Sequence, residues 1–201
     1  MTTTVLHTLY TDVAGYQLSA AGKARIGRED DSALTYGECT PEAVERILAV
    51  TGAAPGEVFY DLGSGTGKMV VYAAFLAPFK KVVGIELLPE LHEAAVEVGK
   101  RYDTEIKRQF TDERRNTELD FRLDDIFDAD LSEADVIVNH CCTCFDDGLM
   151  QRCLNSLKRC KTGARIVTIT RTLADSCFEP IATSMCQMGW GCATIHAYRK
   201  R

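Results

Sequence analysis

Short apolar runs alternate with longer segments that carry one apolar face through the middle of the chain. The apolar runs predict buried strands over residues 58–60, 82–85, 119–123, 135–139 and 164–170. The helical spacing of apolar residues predicts helices over 68–78, from Pro89 to about Ile106, and between Leu149 and Cys160. Because strands and helices alternate, we predict an α/β fold whose mostly parallel sheet is covered on both faces.

The N-terminal end lacks this pattern. Residues 1–35 show no strong period and include the charged cluster Arg28-Glu29-Asp30-Asp31, so we interpret them as a loosely structured lead-in with room for one short helix. Thr40-Pro41 then offers an N-cap followed by proline at the first helical position, which predicts a helix over 41–51. We therefore place the folded domain at residues 36–201.

The C-terminal end differs again. Residues 178–188 and 192–198 flank Gly189-Trp190-Gly191 and predict a closing pair of antiparallel strands, with a helix within 174–187 as the alternative. With that pair included, the pattern predicts one Rossmann-like domain. Its sheet is seven-stranded and mostly parallel, with an antiparallel strand pair at the C-terminal end.

Composition and charge narrow the possible partners. The 201 residues are 46% hydrophobic, yet no apolar run approaches the ~20 residues that span a bilayer. The first residues show no basic segment ahead of an apolar run, so we expect an intracellular protein, cytoplasmic or nuclear, without membrane contact. Proteins that bind nucleic acids neutralise phosphates with clustered Lys and Arg, whereas the net charge here is −6. We therefore expect no direct nucleic-acid partner, and the oligomeric state stays open.

Nine cysteines are unusual for a chain of this length. Their odd number and the missing export signal predict free thiols in a reducing compartment. The run His140-Cys141-Cys142-Thr143-Cys144 suggests zinc, but metal sites usually offer two separated ligand pairs and the sequence shows no second pair. We therefore expect no metal.

A glycine loop, Asp61 to Gly67, joins the first predicted strand to its helix. A loop at this place lets a ligand approach the backbone closely and meet free N–H groups. Dinucleotide sites expect Gly-x-Gly-x-x-Gly, and Lys68 stands where that pattern needs its third glycine. The tighter Gly63-x-Gly65-x-Gly67 after an acidic residue is typical of S-adenosylmethionine sites. The α-amino group of this ligand needs an acidic or carbonyl partner, and Asp61 is the candidate.

Two further acidic positions follow at strand ends. Glu86 ends the second predicted strand, where a carboxylate can accept hydrogen bonds from both ribose hydroxyls. Leu123-Asp124-Asp125-Ile126 follows the third strand and offers an acidic partner for the adenine amino group. We prefer Asp125, because Asp124 is close enough to lie within the strand end. Glycine loop, Glu86 and Asp125 together predict S-adenosylmethionine as the cofactor.

Five short segments resemble the disruptor-of-telomeric-silencing histone lysine methyltransferases, a Rossmann-like family unrelated to the SET fold. The segments are Tyr36-Gly37-Glu38, Phe59 to Gly67, Val83 to Glu86, Val138-Asn139 and Gly189-Trp190-Gly191, within roughly 36–199. The resemblance implies that the Tyr-Gly-Glu segment lies over the cofactor. It also implies that Asn139 and Trp190 help line a channel for an acceptor lysine.

The motifs and the resemblance together define the candidate site. The predicted cofactor-binding residues are Tyr36, Glu38, Asp61, Gly63, Ser64, Gly65, Gly67, Glu86, Asp125, Ile126 and Asn139. The residues predicted to form the catalytic channel are Tyr36, Asn139 and Trp190. The function implied is in-line methyl transfer to a lysine side chain of a protein.

Alternatives remain at the acceptor side. The chain has His140-Cys141 where the family has Asn-Phe, and it lacks the basic segment with which those enzymes engage nucleosomal DNA. A lysine outside the nucleosome stays open as the acceptor. His140 is also a candidate general base for an oxygen or carbon acceptor. A small-molecule methyltransferase and a non-catalytic S-adenosylmethionine-binding scaffold are the competing hypotheses.

Overall fold

A seven-stranded sheet lies between helices in the computed structural model, which describes residues 4–201. The strands are β1 (Val58–Leu62), β2 (Lys81–Glu86), β3 (Glu118–Leu123), β4 (Val136–Asn139), β5 (Arg165–Ile169), β6 (Phe178–Met188) and β7 (Gly191–Lys200). The α-helices are α1 (Thr4–His7), α2 (Gly15–Arg25), α3 (Pro41–Thr51), α4 (Lys68–Leu76), α5 (Pro89–Arg101) and α6 (Asp147–Leu157). A π-helical turn over Tyr102–Ile106 extends α5, and 3₁₀ turns at Ser32–Leu34 and Cys141–Cys144 flank the site described below.

The strand order in the sheet is β3-β2-β1-β4-β5-β7-β6. Strands β1 to β5 pair in parallel, whereas β7 runs antiparallel to both β5 and β6. The predicted mostly parallel sheet with an antiparallel pair at its C-terminal end is confirmed. The alternative of a helix within 174–187 is wrong, since β6 occupies most of that segment.

The central strands explain why the sequence shows apolar runs instead of strict alternation. Every residue of β1 and of β4 is buried, because helices cover both faces of the sheet. Phe59 faces the cluster that contains α3 and α4 residues, and Tyr60 faces the cluster that contains α6 residues. Parallel strands with this coverage bring their carboxyl ends to one edge of the sheet.

The N-terminal segment is more ordered than predicted. Leu6 and Leu9 are buried in the core, and α2 packs against α5. Over residues 4–25 the chain is therefore largely helical and packed, where the sequence led us to expect a loosely structured lead-in. The buried face of α2 consists of Gly15, Ser19 and Gly22, whose small side chains let the helices approach closely but carry no hydrophobic periodicity.

The predicted helix over 41–51 is confirmed, together with its start. The Thr40 hydroxyl accepts a hydrogen bond from the Ala43 N–H at 3.2 Å, and Gly52 ends the helix with φ of 60°. Among residues 4–201, none of the helices combines the length and the apolar character that a membrane span requires. The same residues contain no group of three or more His, Cys, Asp or Glu side chains placed to hold a metal ion.

Candidate cofactor and acceptor site

The glycine loop after β1 has a backbone that only glycine adopts readily. Gly63, Gly65 and Gly67 have φ values of 82°, 55° and 81°, all in the left-handed region. The N–H groups of Gly63 and Ser64 both donate to the Ile85 carbonyl at 2.9 Å, which ties the loop to β2. Backbone contacts within the chain therefore fix the conformation of the loop.

Glu86 braces this loop from the end of β2. Its buried carboxylate accepts hydrogen bonds from the Gly65 N–H at 2.7 Å and from the Leu88 N–H at 2.9 Å. Burial raises the pKa of the Glu86 carboxyl, and the backbone donors oppose that rise. Glu86 also lines the main cavity, where a ribose can reach it.

Asp61 carries an unsatisfied polar atom in the site, as does Ser64. Its side chain is buried, and its Oδ1 has no hydrogen-bond partner. Burial, and then the nearby Glu86 carboxylate, raise the pKa of Asp61 well above its ordinary value. A buried carboxylate without a partner is costly, so this position favours a ligand that brings a cation or N–H donor.

The main cavity has a volume of about 360 Å³ and lies beside the carboxyl ends of β1, β2 and β4. Of the predicted residues it is lined by Tyr36, Gly63, Gly65, Glu86, Asp125, Ile126 and Trp190. A smaller recess of about 20 Å³ adjoins it and is lined by Asp61, Ser64, Glu38 and Lys68, among others. The structure thus gathers most of the predicted residues around one space.

Tyr36 closes the cavity over the glycine loop. A Cβ atom on Gly65 would lie 2.8 Å from Cε2 of Tyr36, so the ring rests on the bare backbone of the loop. The Tyr36 hydroxyl donates to Glu38 at 3.0 Å and lies 3.1 Å from the Thr66 hydroxyl. Glu38 in turn forms a salt bridge with Lys68 at 2.5 Å. The Tyr-Gly-Glu segment is therefore anchored across the loop.

The far end of the cavity is formed after β3. Asp125 lines it and accepts a hydrogen bond from the Phe127 N–H at 2.9 Å. Its second carboxylate oxygen, Oδ2, lies 4.0 Å from the Arg152 guanidinium. Ile126 and Phe127 add apolar surface, and Arg152 stacks on the Phe127 ring at 4.1 Å. Apolar side chains beside one carboxylate suit an adenine ring.

Two of the predicted residues, Asn139 and Gly67, line neither the cavity nor the recess. Asn139 is buried and lines neither the cavity nor the recess; its amide oxygen accepts from the Cys142 N–H at 2.9 Å, and its amide nitrogen donates to the Cys153 sulfur at 3.0 Å. Gly67 also lies outside both spaces, and a Cβ there would lie 2.8 Å from Phe121. Asn139 shapes the Cys141–Cys144 turn in this structure, and its part in a channel stays a prediction.

Trp190 stands at the tip of the β6–β7 hairpin and meets the site from the opposite side. Its indole N–H donates to Nε2 of His140 at 3.2 Å, and the two ring planes lie 17° from parallel with their centroids 6.0 Å apart. A Cβ on Gly37 would lie 2.9 Å from Cδ1 of Trp190, so the indole also packs on the Tyr-Gly-Glu segment. Burial lowers the pKa of His140 to about 4, which leaves this ring neutral near pH 7.

Several lining residues were missed by sequence reasoning. They are Ser19, Arg28, Leu34, Leu88, Phe127, Phe145 and Arg152. Ser19, Arg28 and Leu34 belong to the N-terminal segment, where small and charged residues gave no periodic signal. Phe127 follows Ile126 directly, so the position after the adenine candidate was the one available clue.

The geometry fits S-adenosylmethionine. Asp61 offers an unpartnered buried carboxylate for an amino group, Glu86 a carboxylate for a ribose, and Asp125 with Ile126 and Phe127 a slot for adenine. The left-handed glycines leave open the space that the ligand backbone would need. These residues would hold the cofactor in the cavity and its adjoining recess, beside the glycine loop.

Comparison with known proteins agrees with this geometry. A family model described as histone methylation protein DOT1 matches residues 28–189. The chain is 32% identical over 156 residues to a Cryptococcus neoformans histone-lysine N-methyltransferase specific for H3 lysine 79, covering 73% of this chain and 22% of that protein. It is 29% identical over 135 residues to a Saccharolobus islandicus protein-lysine N-methyltransferase, covering 64% of this chain and 72% of that one.

A solved structure supports the fold. An RNA methyltransferase from Salinibacter ruber, in complex with S-adenosyl-L-homocysteine, superposes with a TM-score of 0.60 at 26% identity. The match covers 78% of this chain and 89% of that one. The chain spans less than a quarter of the length of the H3 lysine-79-specific relatives that it matches.

Proposed function

The chain belongs to the DOT1 histone methylation family, and we propose that it binds S-adenosylmethionine and transfers the methyl group to a lysine side chain of a protein. One observation carries the proposal: the glycine loop, Glu86 and Asp125 line the same cavity as the uncharged rings of Tyr36, His140 and Trp190, and Asp61 lines the recess that adjoins it. The relatives named as protein-lysine methyltransferases support the same acceptor class.

When bound, the cofactor would supply a methyl group on a positively charged sulfur. The chain contributes binding and alignment. Asp61 would hold the amino group of the cofactor and Glu86 its ribose, both next to the glycine loop. Tyr36 packs on the same loop at Gly65. Alignment of this kind raises the rate by holding the reacting atoms within contact distance and excluding water.

A lysine attacks only as the neutral amine, although its pKa is ~10.4 in water. The wall that the acceptor would meet carries no charge near pH 7. Trp190 cannot ionise, burial keeps His140 neutral, and burial raises the pKa of Tyr36 above its ordinary value. Such an environment favours loss of the proton from an incoming ammonium, because desolvation lowers its pKa.

The acceptor is proposed to be a protein. The net charge of −6 disfavours RNA or DNA as the substrate, since phosphate recognition needs clustered basic residues. A small-molecule acceptor is the alternative, and no side chain of the cavity favours it specifically. An intracellular location, cytoplasmic or nuclear, stays a prediction.

Radiolabelled methyl transfer tests the proposal. The full chain is incubated with methyl-labelled S-adenosylmethionine and a cell extract, and protein is then separated from small molecules. We expect label in protein that survives base treatment and appears in methylated lysine after hydrolysis. Label confined to small molecules would favour the alternative acceptor. Measurable cofactor binding without transfer in any fraction would contradict the enzyme assignment.

A further inference from the structure

Three contacts hold Trp190 and the hairpin tip that carries it beside the cavity. His140 accepts a hydrogen bond from the indole N–H of Trp190, and Gly37 lies against the edge of the indole. The Gly189 N–H donates to the Glu38 carbonyl at 2.9 Å, which fixes the hairpin tip to the Tyr-Gly-Glu segment. Of these contacts, only the one with His140 involves a polar group of the indole ring.

The hydrogen bond between Trp190 and His140 fixes the protonation state and the tautomer of His140. The indole N–H is a donor only, so Nε2 of His140 must accept and therefore carries no proton. A protonated imidazole has a hydrogen on both nitrogens and cannot form this contact. The bond thus requires the neutral ring with its hydrogen on Nδ1.

We propose that His140 is a positioning residue that holds Trp190 in place as the wall of the acceptor channel. The inference deepens the proposed function, because it names the group that keeps the channel shaped for an acceptor. His140 does not act on the acceptor directly in this role, since its free lone pair is already occupied by Trp190.

The surroundings favour the neutral ring. The titratable groups that share the cavity and the recess with His140 are Tyr36, Glu38, Cys39, Asp61, Lys68, Glu86, Asp125, Arg28, Arg152, Cys141 and Cys144. Glu38 is already paired with Lys68, Arg28 is paired with Asp31, and none of these groups forms a hydrogen bond with the His140 ring. Burial lowers the pKa of His140 to about 4, so the contact with Trp190 survives across the neutral range.

The chain has a single tryptophan, so its indole gives one N–H resonance and one emission signal. The first measurement is the ¹⁵N–¹H correlation spectrum of the full chain at pH 7. His140→Phe keeps a ring of similar size but removes the acceptor. We expect the indole resonance to move upfield and its N–H to exchange with solvent about fivefold faster, as fits the loss of one neutral hydrogen bond.

His196→Phe is the matched control. His196 lies in β7, paired with Thr168 and Thr183, and does not line the cavity. This variant should leave the indole resonance unchanged. An indole signal that is the same in His140→Phe and the wild type would overturn the inference, and so would an equal shift in both variants.

The second measurement follows tryptophan emission from pH 7 to pH 4. An imidazolium next to an indole quenches its fluorescence, so the wild type should lose emission as the pH falls toward 4. His196→Phe should follow the same curve, and His140→Phe should stay flat. If His140→Phe titrates as the wild type does, the contact does not control Trp190 and the inference fails. The spectrum at pH 7 decides the question even if acid unfolds the chain.

Methyl transfer links the contact to the channel. With labelled cofactor and cell extract at pH 7.5, His140→Phe should transfer roughly ten- to hundredfold less label, as expected for a displaced positioning wall. Normal transfer by this variant would overturn the positioning role while leaving the proposed function intact. Absence of transfer by the wild type would instead refute the proposed function, and the two spectroscopic measurements would still decide the His140–Trp190 contact.

Discussion

The two sides of the cavity differ in the chemical groups that form them. The cofactor wall consists of backbone in left-handed conformations, braced by buried carboxylates at strand ends. The acceptor wall consists of the neutral side chains of Tyr36, His140 and Trp190, in which His140 and Trp190 contact each other and Tyr36 packs on Gly65. The cofactor wall is therefore sensitive to any added atom or lost charge. Substitutions in the acceptor wall are expected to leave cofactor binding intact but to impair the alignment of the acceptor, and therefore methyl transfer.

The largest effect is expected where the cofactor wall has no room for a side chain. Gly65→Arg should abolish cofactor binding, because even a Cβ there would lie 2.8 Å from Tyr36 and φ is 55°. Calorimetric titration with S-adenosyl-L-homocysteine measures this. Gly163→Arg is the matched control: its φ is 86°, but nothing lies within 4 Å of the added Cβ. Heat of binding that persists in Gly65→Arg would refute the site assignment.

A smaller loss is expected when the cofactor wall keeps its shape but loses a charge. Glu86→Gln replaces a carboxylate that accepts from two backbone N–H groups. The same carboxylate is proposed to accept a hydrogen bond from the ribose of the ligand. A hydrogen bond to a charged group contributes about 1.5–3 kcal/mol, so the affinity for S-adenosyl-L-homocysteine should fall roughly ten- to hundredfold. Glu97→Gln, an exposed change in α5, should leave it unaltered. Equal affinities for the two variants would contradict the role of Glu86.

A change on the acceptor wall should separate transfer from binding. Gly37→Ala places a Cβ 2.9 Å from Trp190 and must displace the indole. Methyl transfer should fall about tenfold while S-adenosyl-L-homocysteine affinity changes less than about threefold, because a misplaced wall impairs alignment. Gly148→Ala, whose Cβ would meet only Asp146 at 3.4 Å, serves as control. If affinity and transfer fell together, the two walls would not be separable.

The smallest effect concerns stability. Asp61→Asn removes a buried carboxylate whose Oδ1 has no hydrogen-bond partner. Because burial raises the pKa of Asp61, the folded state binds this proton more readily than the unfolded state. The ionised form therefore costs stability as the pH rises above the unfolded value. The variant should melt about 2–4 °C higher at pH 7, which corresponds to about 1 kcal/mol, and bind cofactor more weakly. A lower melting temperature would show that the charge is compensated.

The cofactor wall could be predicted from the sequence because its chemistry is local. Three glycines in seven residues, and carboxylates at two strand ends, stand next to the elements that position them. The sheet followed for the same reason, since buried parallel strands appear as apolar runs. Glu86 departs in one respect: its oxygens hold the glycine loop itself in addition to facing the cavity.

The acceptor wall and the packing of the N-terminal helix α2 could not be predicted in the same way. His140 and Trp190 are fifty positions apart, and their contact depends on how a hairpin tip folds over a strand end. Helix α2 packs through Gly15, Ser19 and Gly22, residues that a hydrophobic pattern counts as neutral. Asn139 could not be placed from its motif alone, because its side chain also supports the Cys141–Cys144 turn, and its part in a channel stays a prediction.

The hydrogen bond from Gly189 to the Glu38 carbonyl has a consequence for the order in which the chain acquires its native contacts. It joins segments from opposite ends of the sequence, whereas the glycine loop joins neighbouring elements. Contacts with large sequence separation pay the highest loop-closure entropy and form late in folding. During refolding, β1, the glycine loop and β2 are therefore expected to become protected from hydrogen exchange before the hairpin tip docks, and methyl transfer would be the last property to return.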